Sequence, residues 1–185
     1  MQAISSATLY RVIERICDIG PRPLGSDANA QVRQYLRELL LRGDGYLVEH
    51  EFNHTCFVAT KASLSLKNTE YECWAAFGSS GGSVSGRVVA CGQGRPEEIP
   101  SHAEGAIGVV ERGGIHESAK VANLEKAGIV ACVLFVDHEN SLYSARVSQS
   151  FSPIPAVVTR RSHAMELIDS NSKAQLSVDG NLANV

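Results

Sequence analysis

Four short apolar runs in the second half of the chain constrain its fold more than any other feature of the sequence. Each run is rich in β-branched residues and ends near Gly, Pro or Asp, and the four are GRVVACG, GAIGVVER, IVACVLFVD and IPAVVTR. Such runs predict strands, and a run that is apolar on both sides predicts a strand covered on both faces. Residues 116–127 and 161–170 interrupt them with helical spacing. The sequence therefore predicts a mixed domain of strands and helices.

The first 45 residues predict two further helices. Their apolar residues recur every three or four positions, as on one helical face: Leu9, Val12, Ile13 and Ile16, and then Val32, Tyr35, Leu36, Leu39 and Leu40. Ser5, Ser6 or Thr8 can cap the first helix, and Ser26 or Asp27 can cap the second. A Gly-Pro pair separates the helices, because proline cannot continue the hydrogen-bond ladder of the first.

A strand is predicted directly after these helices. Val48, His50 and Phe52 alternate with Glu49 and Glu51, which is the period of a strand. The sequence predicts this strand over residues 46–53. His50 shares the phase of its apolar neighbours, so we interpret it as a core residue.

A hairpin and a long loop complete the pattern. Residues 62–66 and 71–77 flank a turn at residues 67–69, which is typical of a hairpin. Residues 137–152 have no clear period, and we expect a surface loop there.

Charge and hydropathy exclude several classes of function. The 185 residues include 17 Lys and Arg against 20 Asp and Glu, a formal net charge of −3, so the chain lacks the basic character that binds nucleic acids or anionic membranes. No apolar run approaches the roughly 20 residues that span a bilayer. The N-terminus has no basic-then-apolar signal pattern. We expect no nucleic-acid partner and no membrane segment.

The cysteines bear on the compartment. They are Cys17, Cys56, Cys73, Cys91 and Cys132. Because their number is odd, at least one thiol lacks a partner within the chain, and none belongs to the CxxC pair of a zinc knuckle. This pattern favours a reducing compartment, with most cysteines acting as small buried apolar residues.

Residues 78–82 match G-x-S-x-G, the nucleophile elbow of many serine hydrolases, with Ser80 as the nucleophile. That chemistry needs a sharp turn from a strand into a helix, whereas residues 83–89 predict another turn and another strand. We therefore interpret the motif as a Gly/Ser loop between strands. Serine hydrolysis by Ser80 is the alternative.

The histidines lack the spacing of a metal site. His116 and Glu117 begin the zinc motif HExxH, but Lys120 holds the position of the second histidine, so we interpret His116 as a helix-start or surface residue. The other histidines lie outside any predicted cluster of ligands: His54, His102 beside Glu104, His138 beside Glu139, and His163, which we place in a helix without a partner.

Two glycine-rich turns resemble anion sites only weakly. Gly92-Gln93-Gly94 lacks the third glycine of a phosphate-binding loop. Arg112-Gly113-Gly114 ends a strand and feeds a helix, where backbone N–H groups can receive an anion. We interpret both as turns. The residues alone therefore provide no catalytic, metal-binding or cofactor-binding set.

The apolar runs and their connections resemble a protease-associated (PA) domain. The segments that carry the resemblance are GRVVACGQG, EGAIGVVERGG, SAKVANLEKAGIVACVLFVD and SPIPAVVTRRSHAMELI. The resemblance implies an α+β (mixed) fold, with a PA-domain β-sandwich or swivelling β/β/α core, flanking helices and two N-terminal helices before it.

The N-terminal segment ICDIGPRPLGSDANAQVRQYLRELLLRGDGYLVEHEFN is similar to the start of co-catalytic zinc aminopeptidases, the superfamily of glutamate carboxypeptidase and the transferrin receptor ectodomain. In that superfamily a PA domain follows two helices and a first strand, and a segment like the closing LANV returns to the peptidase sheet. The implied divisions are a helical peptidase-like segment at 1–45, a first peptidase-type strand at 46–53, the PA domain at 54–178 and the return at 179–185.

The resemblance carries no catalytic or metal residue onto this chain, because the family's zinc ligands and carboxylate base follow the return strand. It implies a non-catalytic PA-domain fragment of a zinc-dependent aminopeptidase-like metallopeptidase. The parent protein is expected to hold two zinc ions, and this chain none. The PA domain would serve as an active-site cover or as a substrate or protein interaction module. The alternative is a natural stand-alone PA-domain interaction protein without peptidase activity.

The expected partners are the missing peptidase domain, a peptide or protein ligand of the PA domain, and further copies of this chain. Apolar helical faces that would pack on a peptidase sheet predict a homo-oligomer, formed through the N-terminal helices or by segment exchange. The compartment stays open: the family suggests a secreted or lumenal protein, whereas the odd cysteine count and the lack of a signal pattern suggest the cytoplasm.

Overall fold

The computed structural model describes residues 5–20, 22, 25–42, 46–137, 140–148, 151–170 and 172–184. The chain divides into two compact units. The first comprises residues 1–54 with 184–185, and the second comprises residues 55–183.

Two capped helices form most of the first unit. Helix α1 spans Ser6–Asp18, and the Ser5 hydroxyl accepts a hydrogen bond from the Thr8 N–H at 3.2 Å. Helix α2 spans Asp27–Leu41, and the Ser26 hydroxyl accepts one from the Asn29 N–H at 3.1 Å. Each cap satisfies an N–H that has no partner within its helix. Both predicted helices are confirmed.

The predicted strand over residues 46–53 is wrong. The chain from residue 46 to 54 belongs to no helix or strand, and no described strand pairs with it. His50 is exposed, so its interpretation as a core residue is also wrong, and 59% of Val48 and 77% of Phe52 are exposed. An alternating pattern becomes a strand only where a neighbour supplies the hydrogen bonds of its edge.

The second unit is a mixed sheet with one helix on each face. Its elements in chain order are β1 (Thr55–Leu66), β2 (Thr69–Tyr71), β3 (Cys73–Ala75), β4 (Gly82–Ala90), a short 3₁₀ turn (Pro96–Glu98), β5 (Ile107–Glu111), α3 (Glu117–Lys126), β6 (Ala131–Phe135), β7 (Ala156–Thr159), α4 (Arg161–Asp169) and β8 (Lys173–Asn184). The strands lie in the order β2-β1-β8-β4-β5-β6-β7-β3. The α+β fold predicted from the sequence is confirmed.

The four apolar runs form four neighbouring parallel strands, β4 to β7. Val88 lies opposite Ile107, Val109 opposite Val133, and Cys132 opposite Ala156. Parallel strands end at the same edge of a sheet, so the loops that follow β4, β5, β6 and β7 gather there.

The two ends of the sheet are consecutive pieces of chain. Strand β2 pairs with β1, with Leu64 opposite Tyr71, and β3 pairs with β7, with Cys73 opposite Thr159. Only Glu72 separates β2 from β3. The sheet therefore curls until it is nearly a barrel. The predicted hairpin turn is confirmed, and Lys67 occupies the left-handed region there with φ 55°. The second strand of the hairpin is Thr69–Tyr71 rather than the predicted 71–77, because Cys73–Ala75 pairs with β7 at the other end of the sheet.

The parallel strands are covered on both faces. Helix α3 buries Val121 and Leu124 on one face, with Ala145, Val147 and Ile154 of the β6–β7 connection. On the other face, α4 buries Ala164 and Leu167 against inward residues of β1 and β8. Residues 137, 140–148 and 151–155 form a loop, as predicted, but Ala145, Val147 and Ile154 are buried in the core rather than at the surface. Among the helices of the described residues, none is both long and apolar enough to cross a membrane.

Candidate functional site

The loops at the carboxyl ends of β4 to β7 form the candidate site. We call this surface the carboxyl edge and define it by residues 91–95, 112–116, 136–137, 140–148 and 160–163. Open sheets with parallel strands bind ligands at this edge, because loops from several strands converge there. The described residues of the connection from β6 to β7 form no helix, and long loops without secondary structure are often functional.

A buried lysine lies beneath two of these loops. Lys120, on α3, is fully buried, and its Nζ donates hydrogen bonds to the carbonyl oxygens of Gln93 and Gly113, the latter at 2.6 Å. Burial lowers the pKa of Lys120, because it removes water from the ammonium group, while the carboxylates of Glu117 and Glu98 oppose this shift. One side chain thus joins the loops that follow β4 and β5.

The carboxylate of Glu98 also binds the backbone of the loop that follows β4. Glu98 Oε2 accepts hydrogen bonds from the N–H groups of Gln93 at 2.9 Å and Arg95 at 3.0 Å. The bond from the Arg95 N–H is the main reason that the pKa of Glu98 is lowered, and the Gln93 N–H and nearby cations add to it. Asn123 Nδ2 donates to the carbonyl oxygen of Gly94 at 2.9 Å. The Gly92-Gln93-Gly94 motif is a turn, as predicted, with side chains of other segments bound to its backbone.

The second loop reaches the β6–β7 connection through Arg112. Its guanidinium carbon lies 5.0 Å from the ring centroid of Tyr143, and its Nε lies 4.0 Å from Glu117 Oε1. The Tyr143 Oη is buried and has no hydrogen-bond partner among the described residues. Burial raises the pKa of Tyr143 far above its ordinary value, and Glu117 reinforces the shift. A cation over an aromatic face stabilises this part of the edge.

The β6–β7 connection is also bound to the start of α4. Asn140 Oδ1 accepts hydrogen bonds from the N–H of Ser162 at 3.1 Å and from its hydroxyl at 3.0 Å. Arg160 donates to Glu72 at 2.7 Å and to the Asn140 carbonyl at 3.0 Å, and Arg161 Nε lies 2.9 Å from Asp137 Oδ1. These contacts hold the long loop against the start of α4.

Ser80 lies in a loop between β3 and β4, as predicted, and a strand follows it. The Ser79 hydroxyl donates to the Ser80 carbonyl at 2.8 Å and accepts from the Ala156 N–H at 2.9 Å. The Ser80 N–H donates to the Ser152 hydroxyl at 3.2 Å. The G-x-S-x-G serines thus fasten a loop to β7, without the helix N-terminus of a nucleophile elbow.

Among the described residues the histidines belong to no metal-binding cluster, and His116 and His163 have structural partners instead. His116 caps α3, since its Nδ1 accepts from the Ser118 N–H at 3.2 Å, and this confirms the helix-start interpretation. His163 does have partners, contrary to expectation: Nδ1 lies 3.2 Å from Thr159 Oγ1, and its ring centroid lies 5.1 Å from that of Tyr71. His102 is exposed.

The remaining predicted pair, His138 and Glu139, lies outside the described residues. Within the ranges described above, no group of three His, Cys, Asp or Glu residues is close enough to hold a metal ion. The described side chains thus do not fit the donor set of a zinc centre. We therefore derive no metal-dependent step from this chain.

Sequence reasoning missed Lys120 as a structural residue, although a signal was present. Lys120 is one position before Val121 and four before Leu124, so it lies on the core-facing side of α3. In the sequence, Lys120 stands out only as the residue that breaks the HExxH motif. Tyr143 was missed because its loop has no period.

These features define a class: an α+β domain with a curled mixed sheet, one helix on each face and a polar carboxyl edge built from loops. Residues 80–167 match the family model described as the PA domain, and this part of the chain is a PA domain. No curated protein sequence matches the chain.

Solved structures share the fold over most of the chain. BSAP, a zinc aminopeptidase from Bacillus subtilis, aligns with a TM-score of 0.73 at 19% identity over 97% of this chain and 45% of its own. An aminopeptidase from Aneurinibacillus sp. strain AM-1 gives 0.64 at 20% identity, over 98% of this chain and 46% of its own. The chain thus spans less than half the length of these proteins.

A subtilisin-like protease, Apa1 from the Antarctic psychrotroph Pseudoalteromonas sp. AS-11, is similar over a smaller part. It aligns with a TM-score of 0.52 at 15% identity, over 67% of this chain and 35% of its own. At such low identities the likeness concerns the fold alone.

Proposed function

We propose that this chain is the PA-domain portion of a zinc-dependent aminopeptidase-like protein and is not catalytic by itself. The observation that carries the proposal is the match to BSAP over 97% of the chain, N-terminal helices included, combined with the PA domain at residues 80–167. The helices and the PA domain thus occur together, in the order that a zinc aminopeptidase uses.

Zinc chemistry would belong to the remainder of such a protein. Zinc, when bound there, would activate a water molecule for attack on a peptide bond. The described residues of this chain would contribute a surface for binding and orientation. We infer that the carboxyl edge is this surface, since it combines an exposed face of Arg112, the long loop and a fixed backbone at Gln93.

An aminopeptidase assay tests the first part of the proposal. Purified chain would be incubated with aminoacyl substrates and added zinc, beside a blank that holds zinc alone. We expect no turnover above the blank. Robust turnover that depends on the chain would overturn the proposal.

Peptide titration followed by NMR tests the second part. Amide shifts should concentrate at the carboxyl edge, with Gln93, Arg112 and Asn140 as reporters. Lys67, at the exposed turn between β1 and β2, is the internal control. Shifts confined to that turn would contradict a binding role for the edge.

A stand-alone interaction protein without peptidase activity is the second candidate. It is favoured by the compactness of the second unit, which buries its own core. The native reading frame after Val185 separates the two candidates. A downstream segment with His-x-Asp and a Glu-Glu pair supports the peptidase, and a stop codon directly after it supports the interaction protein.

A further inference from the structure

Two loops of the carboxyl edge meet at Gln93. Its carbonyl oxygen and that of Gly113 both accept from Lys120. Its side chain lies across Gly114, where a Cβ atom would approach Gln93 Oε1 to 2.1 Å and Arg95 Nη2 to 3.2 Å. The φ of 71° favours glycine at this position, and an added side chain would also displace the end of the Gln93 side chain. Backbone and side chain of Gln93 therefore connect the same two loops.

The choice of a lysine at this core position needs an explanation. A buried ammonium loses its water, whereas an apolar side chain of similar length would fill the same space without that loss. The hydrogen bonds of Lys120 to Gln93 and Gly113 go to peptide carbonyls rather than to a carboxylate. What the ammonium supplies is therefore a charged donor that fixes two backbone segments at once.

Opposite charges hold Gln93 from both sides. Its N–H binds the carboxylate of Glu98, and its carbonyl binds the ammonium of Lys120. Displacement of either charged group should therefore affect the position of the other. The helix α3 that carries Lys120 is itself fixed in the core by Val121 and Leu124, so it is a rigid support.

We propose that Lys120 is a positioning residue, an internal cation that locks residues 92–95 and 113–115 into one preformed part of the carboxyl edge. Ligand binding by that edge rests on the proposed function above. The lock itself does not, and it can be measured without a ligand.

Hydrogen exchange of the full chain tests the lock. Lys120→Met retains length and removes the charge. We expect exchange at Gln93, Gly94, Arg95 and Ile115 to rise at least tenfold, while β6 (Ala131–Phe135) changes much less. Tryptic cleavage after Arg112 should accelerate in parallel. A folded K120M protein with unchanged protection in both loops would overturn the proposal, and so would an equal rise in β6, which indicates global destabilisation.

Lys126→Met is the matched control, because Lys126 is exposed on the same helix. It should leave both loops protected. Asn123→Ala removes only the bond to the Gly94 carbonyl and leaves both charged contacts of Gln93 in place, so exchange should rise at Gly94 and Arg95 and stay unchanged at Gln93 and Ile115. A rise at Ile115 as large as that in K120M would show that Lys120 has no special role.

Glu98→Gln keeps the proposal testable if K120M does not fold. The substitution weakens the contact to the Gln93 N–H, outside the core. If Lys120 couples the loops, exchange should rise at residues 92–95 and also at Ile115. A rise in the first loop alone would overturn the coupling. Peptide titration of the same variants is scored separately, so failure to bind peptide bears on the proposed function and leaves the lock intact.

Discussion

At the residue scale, close backbone contacts decide which positions must be glycine. Gly78 has φ 76°, and a Cβ atom there would lie 2.2 Å from the carbonyl oxygen of Ser148. The adjacent residue binds the same segment, since the Phe77 N–H donates to Ala145 and its carbonyl accepts from Val147. We expect Gly78→Ala to reduce the free energy of unfolding by about 2–4 kcal/mol, as measured by urea denaturation.

Gly105 is the matched control for this prediction. It has a similar φ of 70°, but a Cβ atom there would have no neighbour within 4 Å. Gly105→Ala should therefore reduce the free energy of unfolding by only about 1 kcal/mol, which is the cost of placing a side chain in the left-handed region. Equal losses in the two variants would mean that contact with Ser148 contributes nothing.

A buried thiol predicts loss of stability at alkaline pH. Burial raises the pKa of Cys91 from 9.0 to about 12. Between these values the unfolded chain releases a proton that the folded chain retains, so the stabilisation is complete below pH 9 and disappears as the pH rises toward 12. Under reducing conditions the free energy of unfolding should fall between about pH 8 and about pH 10.5, and Cys91 should account for about 1–2 kcal/mol of that fall.

Cys91→Ala should make this pH-dependent loss smaller by that amount. Cys17→Ala, at an exposed position of α1, serves as the control and should leave the loss unchanged. The quantity to compare between variants is the change in the free energy of unfolding from the lower to the higher pH, rather than the stability at either pH alone. An identical pH dependence in wild type and Cys91→Ala would refute the assignment.

At the scale of elements, local pattern predicts an element correctly where its own apolar run, or its own helical period and caps, define it. The four apolar runs became β4 to β7, and α1 to α4 lie where spacing and caps place them. The prediction fails where a strand depends on pairing with a neighbouring strand. Residues 46–53 have the pattern of a strand, but among described residues no strand lies beside them to complete a ladder.

The carboxyl edge was predictable only in part. Its turns at Gly92–Gly94 and Gly113–Gly114 follow from glycine, whereas the contact of Lys120 with both depends on how β4, β5 and α3 pack together. The contact of Lys120 with Gln93 joins residues 27 positions apart and is not encoded in any local period. Buried Ala145 and Val147 in the β6–β7 connection were missed for the same reason.

The β6–β7 connection yields its own prediction through Tyr143. Its Oη is buried without a partner among the described residues. Removal of a buried hydroxyl that makes no hydrogen bond should cost nothing, because the folded chain no longer has to desolvate it. We expect Tyr143→Phe to be at least as stable as wild type in urea denaturation. A loss above about 1 kcal/mol would reveal a hydrogen bond to a residue or water outside the described contacts.

At the scale of the whole molecule, the two units differ in how much apolar surface they bury. The second unit has a core on each face of its parallel strands. Helix α1 of the first unit has no buried residue, and Leu9 and Ile13 are 50% and 60% exposed. Apolar faces of this kind are typical of surfaces that another protein segment covers.

We propose that a second copy covers this face when no peptidase domain is present. Sedimentation equilibrium from about 1 to 100 µM should then show a mass that rises with concentration above 19.8 kDa. Leu9→Ser with Ile13→Ser should hold the chain near the monomer mass, because the apolar area that drives association is removed. Arg11→Ser, an exposed polar position of the same helix, should associate like wild type. A wild-type chain that stays monomeric at 100 µM, with both helices formed by circular dichroism, would show that the exposed face of α1 does not drive self-association.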